Sequence, residues 1–157
     1  MRASAVRTRA RRIVAGALVC MTAGLAVACA DFDSAVDPAF GLPDATVANP
    51  SFSDDIQPIL DRRCSIGGCH SLATAQAGLT LAASASYDDL VGVPSTLRPE
   101  FLRVAPGDAG NSWLVRMIGT DPAARFGHQR MPLSSLPLTP NQIATITNWI
   151  EQGAQPN

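Results

Sequence analysis

The sequence predicts one small, mostly α-helical domain whose helices are linked by long Pro- and Gly-rich loops, behind an export segment. Three observations lead there. Apolar residues recur at helical spacing in the stretches 52–64, 112–118 and 139–153. No stretch between them alternates apolar and polar residues as a half-buried strand does. The rest, notably 91–108 and 120–139, is rich in proline and glycine, which punctuate regular structure rather than continue it.

The 157 residues suffice for one domain plus a targeting segment. Five arginines fall in the first twelve positions, and an apolar run follows over 13–28, broken only by small residues and Thr22. A basic flank, a short apolar core and a small-residue end make a secretory signal over 1–28. Its 16 residues fall short of the roughly 20 that a membrane-spanning helix needs. Leu25-Ala26-Val27-Ala28-Cys29 looks like a lipobox, so Cys29 is expected to be lipidated and to become the mature amino terminus. Cleavage after Ala28 or Ala30 without a lipid is the alternative. Either way the protein is expected on the periplasmic side of a bacterial membrane, anchored through Cys29 or else soluble.

Residues 29–50 carry Asp31, Asp33, Asp37 and Asp44 with Pro38, Pro43 and Pro50, and little periodicity. Such a composition buries too little apolar area to order itself and is expected to be a disordered acidic tether. The folded unit is then 51–157. Its first helix, 52–64, puts Ile56, Ile59, Leu60 and Cys64 on one face, with Ser53 as the expected cap and Pro58 near the first turn. The second, 112–118, groups Trp113, Leu114, Met117 and Ile118. In the third, Thr139 is the cap, Pro140 takes the first position, Ile143, Ile146, Thr147 and Ile150 form a stripe, and Gly153 ends it. Long loops in so small a domain suggest that something other than side chains fills part of the core.

The chain contains no lysine, and seven arginines against all thirteen acids lie after residue 28, leaving 29–157 at a formal −6. Nucleic acid is excluded as a partner, because phosphate recognition needs a basic footprint.

Four cysteines are present. Cys20 lies in the signal and Cys29 at the lipidation site, which leaves Cys64-Ser65-Ile66-Gly67-Gly68-Cys69-His70. Two thiols followed at once by a histidine form a haem-attachment pattern. The thiols add to the two vinyl groups of a porphyrin, and the histidine comes up to the iron. The common pattern has two residues between the cysteines; here there are four, and Gly67-Gly68 offers the backbone freedom for the longer loop. On the residues alone, two alternatives stand beside haem. One is a Cys64–Cys69 disulfide, natural in an oxidising compartment. The other is a zinc site from Cys64, Cys69, His70 and the only other histidine, His128, although adjacent residues reach one tetrahedral ion with difficulty.

Several further segments follow in order. Phe52-Ser53-Asp54-Asp55-Ile56-Gln57-Pro58-Ile59-Leu60 precedes the cysteine motif, and Ala77-Gly78-Leu79-Thr80-Leu81 follows it. Then come Val104-Ala105-Pro106-Gly107-Asp108 with Ser112 and Leu114, Met131-Pro132, and Leu138-Thr139…Trp149-Ile150-Glu151-Gln152-Gly153-Ala154. Together, over 52–154, they resemble the planctomycete-type cytochrome c domain. The chain departs from that pattern in its four-residue cysteine spacing and in Leu133, where a second proline is usual. The resemblance implies a cytochrome c-like helical fold around one covalent haem c held by Cys64 and Cys69. It also implies His70 and Met131 as axial ligands of the iron.

Read from its own residues, Met131 is a soft thioether donor on a Pro-rich loop, and a methionine ligand raises the reduction potential. His128 is the competing sixth ligand, and Met117 reads as a core residue. The turn Pro106-Gly107-Asp108 is one candidate for the carbonyl that orients His70. Arg103, Arg116, Arg125 and Arg130 either face the haem propionates or are solvated. The expected function is one-electron transfer to a redox protein partner, with no catalytic residues. A peroxidase-like or ligand-binding haem protein, and a haem-free lipoprotein domain with the disulfide, are the alternatives.

Overall fold

The computed structural model describes residues 36–37, 41–133 and 136–157. The chain divides into two units, Met1–Ala30 and Asp31–Asn157. The expected signal and lipidation site, Cys20 and Cys29 included, lie outside the described residues. The second unit is mostly helical, with α1 (Gln57–Arg63), α2 (Ser86–Leu90), α3 (Trp113–Ile118) and α4 (Pro140–Glu151). One short antiparallel pairing joins β1 (Val36–Asp37) to β2 (Leu42–Pro43). No helix among the described residues is long and apolar enough to cross a membrane.

The first helix begins differently from expectation. Phe52–Ile56 winds as a wide π-helical turn before α1, with the Ile56 amide reaching the Ser51 carbonyl at 3.2 Å. Pro58 explains the change: it has no N–H to give to the preceding turn, and its ring crowds the carbonyl four residues back. The cap is Ser51 rather than Ser53. Its hydroxyl accepts from the Asp54 amide at 3.3 Å, while the Asp55 carboxylate accepts from the Ser51 amide at 2.8 Å. Ile56, Ile59 and Leu60 are buried as the spacing requires.

The final helix starts as its sequence specifies. Thr139 and Gln142 form a reciprocal capping box with Pro140 in the first turn, and Gly153 takes the left-handed conformation (φ 95°) beyond the end. Its buried face is rotated from the expected stripe. Gln142, Thr145, Ile146, Trp149 and Ile150 are buried, whereas Ile143 and Thr147 are only half-buried. Trp149 draws the helix round. Its ring lies 5.1 Å from Phe52 and 6.5 Å from Tyr87, and its indole N–H donates to the Gln155 carbonyl at 2.9 Å. The carboxy-terminal residue returns to the start of the domain, where the Ser53 amide donates to the Asn157 carbonyl at 2.8 Å.

The expected tether is corrected over 41–50, which packs on α4. Leu42 joins the core at 2 % exposure. The Val47 amide donates to Thr145 Oγ1 at 3.0 Å, Asn148 Nδ2 to the Val47 carbonyl at 2.9 Å, and Asn141 Nδ2 to the Asp44 carbonyl at 2.9 Å. The Thr139 hydroxyl, besides capping α4, donates to the Asp44 carboxylate. Few apolar residues suffice here because α4 supplies polar partners for the segment's backbone. The folded unit therefore starts upstream of residue 51.

Candidate functional site

α1, α2, α3 and the loops between them line an apolar cavity of about 420 Å³, within the range of about 300–1,000 Å³ usual for sites that hold an organic ligand. Cys64, Cys69, His70 and Met131 all line it. Leu79, Leu81, Leu90, Leu114 and Ile118 give it an apolar wall. Met117, read from the sequence as core, is buried and is also part of this wall.

α1 delivers the first thiol. Cys64 sits at its carboxy-terminal cap, with its amide donating to Leu60 at 2.9 Å. The following loop is closed by two backbone bonds, Cys69 amide to Ile66 carbonyl at 3.1 Å and His70 amide to Cys64 carbonyl at 3.2 Å. Of the two glycines, only Gly68 needs the left-handed region (φ 84°). Both cysteines are free thiols, so the disulfide alternative is not the arrangement observed. Cys64 is half-buried by area because it faces the cavity, yet protein surrounds it. Burial pushes its thiol up to about 12, with Arg63 opposing the shift and Cys69 adding to it. Among the described residues no three His, Cys, Asp or Glu side chains converge to hold a metal ion, and His128 does not line the cavity with Cys64, Cys69 and His70. The zinc alternative has no donor set.

The orienting partner of His70 is not the 106–108 turn. His70 Nδ1 donates to the Leu79 carbonyl at 3.1 Å. A carbonyl only accepts, so the bond requires the proton on Nδ1 and leaves the Nε2 lone pair free. Leu81 closes the same segment onto the histidine backbone, its amide donating to the His70 carbonyl at 2.7 Å. The 106–108 turn instead caps the short 3-10 turn Ala109–Asn111. The Asp108 carboxylate accepts from the Asn111 side chain at 2.7 Å and its amide at 3.0 Å, which together hold the carboxyl below the usual carboxylate range.

Met131 reaches the cavity from the loop before α4, its amide donating to the Met117 carbonyl at 2.8 Å, and the Met131–Pro132 peptide bond that follows is cis. His128, the competing ligand, is not part of the lining. Its ring packs edge-on against Trp113, centroids 5.6 Å apart. Arg125 and Arg130 point at backbone carbonyls, Gly119 and Ile118 respectively, at 2.9 Å each. Arg116 lies over the Phe101 ring at 4.4 Å.

Sequence reasoning passed over Arg63. It is 1 % exposed, lines the cavity, and donates to the Leu136 and Pro137 carbonyls of the loop that carries Met131. A signal was present: position 63 continues the 56, 59, 60 stripe, and a cation on an apolar stripe is unusual. The donor set, two thiols, an imidazole with a free Nε2 and a thioether on one apolar cavity, fits a covalently attached haem. Comparison with protein-family models, with curated proteins and with solved structures gives no match.

Proposed function

We propose that this chain is an exported electron carrier with a cytochrome c-like fold, holding one covalently attached haem c and anchored to the membrane by a lipid on Cys29. The observation that carries the reading is the convergence of Cys64, Cys69, His70 and Met131 on one apolar cavity that His128 does not line. The resemblance of 52–154 to the planctomycete-type cytochrome c domain supports it from the sequence.

Cys64 and Cys69 would hold the group through thioether bonds, and His70 and Met131 would ligate its iron. When bound, the group supplies reversible one-electron redox chemistry at its iron. The chain's own part is to position and to exclude. The Leu79 carbonyl keeps the His70 proton on Nδ1, so the ring offers Nε2 in a fixed orientation. The leucine and isoleucine wall gives the group an apolar surround. Held by both His70 and Met131, the iron would have no site left for a substrate, which favours transfer over catalysis. Its partners are then a redox protein and, through Cys29, a lipid bilayer.

The test is expression of the full chain with a cytochrome c maturation system, followed by a denaturing gel stained for haem. The wild-type band stains and the band of the C64A/C69A double variant does not. Stain that persists in the double variant rules out attachment at these thiols.

A further inference from the structure

The segment that orients His70 is strained. Ala75 (φ 37°), Ala77 (φ 55°) and Gly78 (φ 62°) all lie in the left-handed region, which side chains beyond glycine adopt at a cost. Such a conformation persists only when its surroundings over-determine it. Two side chains do so. Arg103 is buried and lines the cavity. Its Nη2 donates to the Gly78 carbonyl at 2.9 Å and the Ala77 carbonyl at 3.4 Å, and its Nη1 to the Asp89 carbonyl at 2.7 Å. Thr96 Oγ1 donates to the Ala77 carbonyl at 2.7 Å. The next carbonyl along, that of Leu79, is the one that takes the His70 proton.

We propose that Arg103, assisted by Thr96, is a positioning residue for His70: it clamps the left-handed 75–79 segment so that the Leu79 carbonyl holds the imidazole in its Nδ1–H form with Nε2 open. The inference deepens the proposed function and rests on His70 being the iron ligand. Arginine suits the task because its planar fork serves acceptors in two directions at once, which a lysine point charge does not. Among the described residues no ion pair involves Arg103, in contrast to Arg98, which pairs with Glu100 at the surface; the buried guanidinium is satisfied by main-chain carbonyls instead.

The experiment uses the full chain twice, haem-free and after maturation. In the haem-free chain, ring nitrogen-15 shifts at a pH where the imidazole is neutral report the tautomer of His70, with His128 as the internal reference. The wild type shows the Nδ1–H form. Arg103→Lys and Thr96→Val each lower the ratio of Nδ1–H to Nε2–H by about tenfold, the factor that one ordinary hydrogen bond carries, while the control Arg98→Lys leaves it unchanged. In the matured chain both variants raise the midpoint potential, because a histidine that no longer donates from Nδ1 is a weaker base toward the iron. Neither variant removes charge from the cavity, so simple electrostatics predicts no shift. Wild-type ratios and potentials in both variants overturn the proposal. Thr96 is exposed, so Thr96→Val decides the matter if Arg103→Lys fails to fold. A chain that takes up no haem defeats the proposed function, while the haem-free tautomer measurement still decides this one.

Discussion

The folded chain brings Cys64, Cys69, His70 and Met131 to one apolar cavity. The resemblance favoured Met131 over His128, whereas the residues alone kept both open, because they lie within a few positions on the same loop. Packing separates them: Met131 is tied to α3 through Met117, and His128 turns its edge to Trp113. In the matured protein Met131→Ala is therefore expected to abolish the methionine-to-ferric charge-transfer band, lower the potential and permit rapid carbon monoxide binding. His128→Ala leaves all three unchanged. Exchange of these outcomes between the two variants would mean bis-histidine ligation. The partner of His70 was equally hidden, since a backbone carbonyl carries no residue-type signal. Cys64 gives a pH prediction for the haem-free chain. Its thiol titrates at about 12 when folded against an ordinary 9.0, so the folded state keeps a proton that the unfolded chain loses in between. Stability is full below pH 9 and falls as the pH rises toward 12. Denaturant melts should show that loss in the wild type and a smaller one in Cys64→Ala.

At the level of elements, helices with strong end signals were read best. α4 carries its cap, its first-turn proline and its terminal glycine in sequence, and forms where they say. Its buried face was misjudged because Ile143 was weighted by hydrophobicity, whereas Trp149 packs on Phe52 and Tyr87, which come from elsewhere in the chain. α2 escaped notice. Five residues, Ser86-Tyr87-Asp88-Asp89-Leu90, are too few to display a helical repeat. It forms because tertiary contacts hold it: Ser86 is buried against the Gln57 side chain, and the Tyr87 hydroxyl donates to the Ala154 carbonyl at 2.9 Å. The segment 41–50 was misread for the same reason, since its partners lie about a hundred residues away on α4. Leu42 distinguishes a packed strand from a tether. Leu42→Ala should destabilise the haem-free domain by about 2–5 kcal/mol, the usual cost of truncating a buried leucine. Urea unfolding measures it, and a change near zero would restore the tether.

Over the whole molecule, the pieces share one physical logic. Short helices and long loops leave a domain of this size without enough side-chain volume at its centre, and the apolar cavity of about 420 Å³ is where that deficit lies. Its wall combines aliphatic side chains with two thiols, one oriented imidazole and the thioethers of Met117 and Met131, and two buried arginines, Arg63 and Arg103, brace the loops around it through main-chain carbonyls. The long loops foretold the deficit, and only folding could reveal that the four donor residues share it. The central claim, that this cavity is built for a single covalent haem, is tested most directly by an alkaline pyridine haemochrome spectrum of the full chain expressed with a cytochrome c maturation system. The account predicts a c-type spectrum with one haem per chain that survives acid–acetone extraction. A colourless protein, or a haem that the extraction removes, would contradict it.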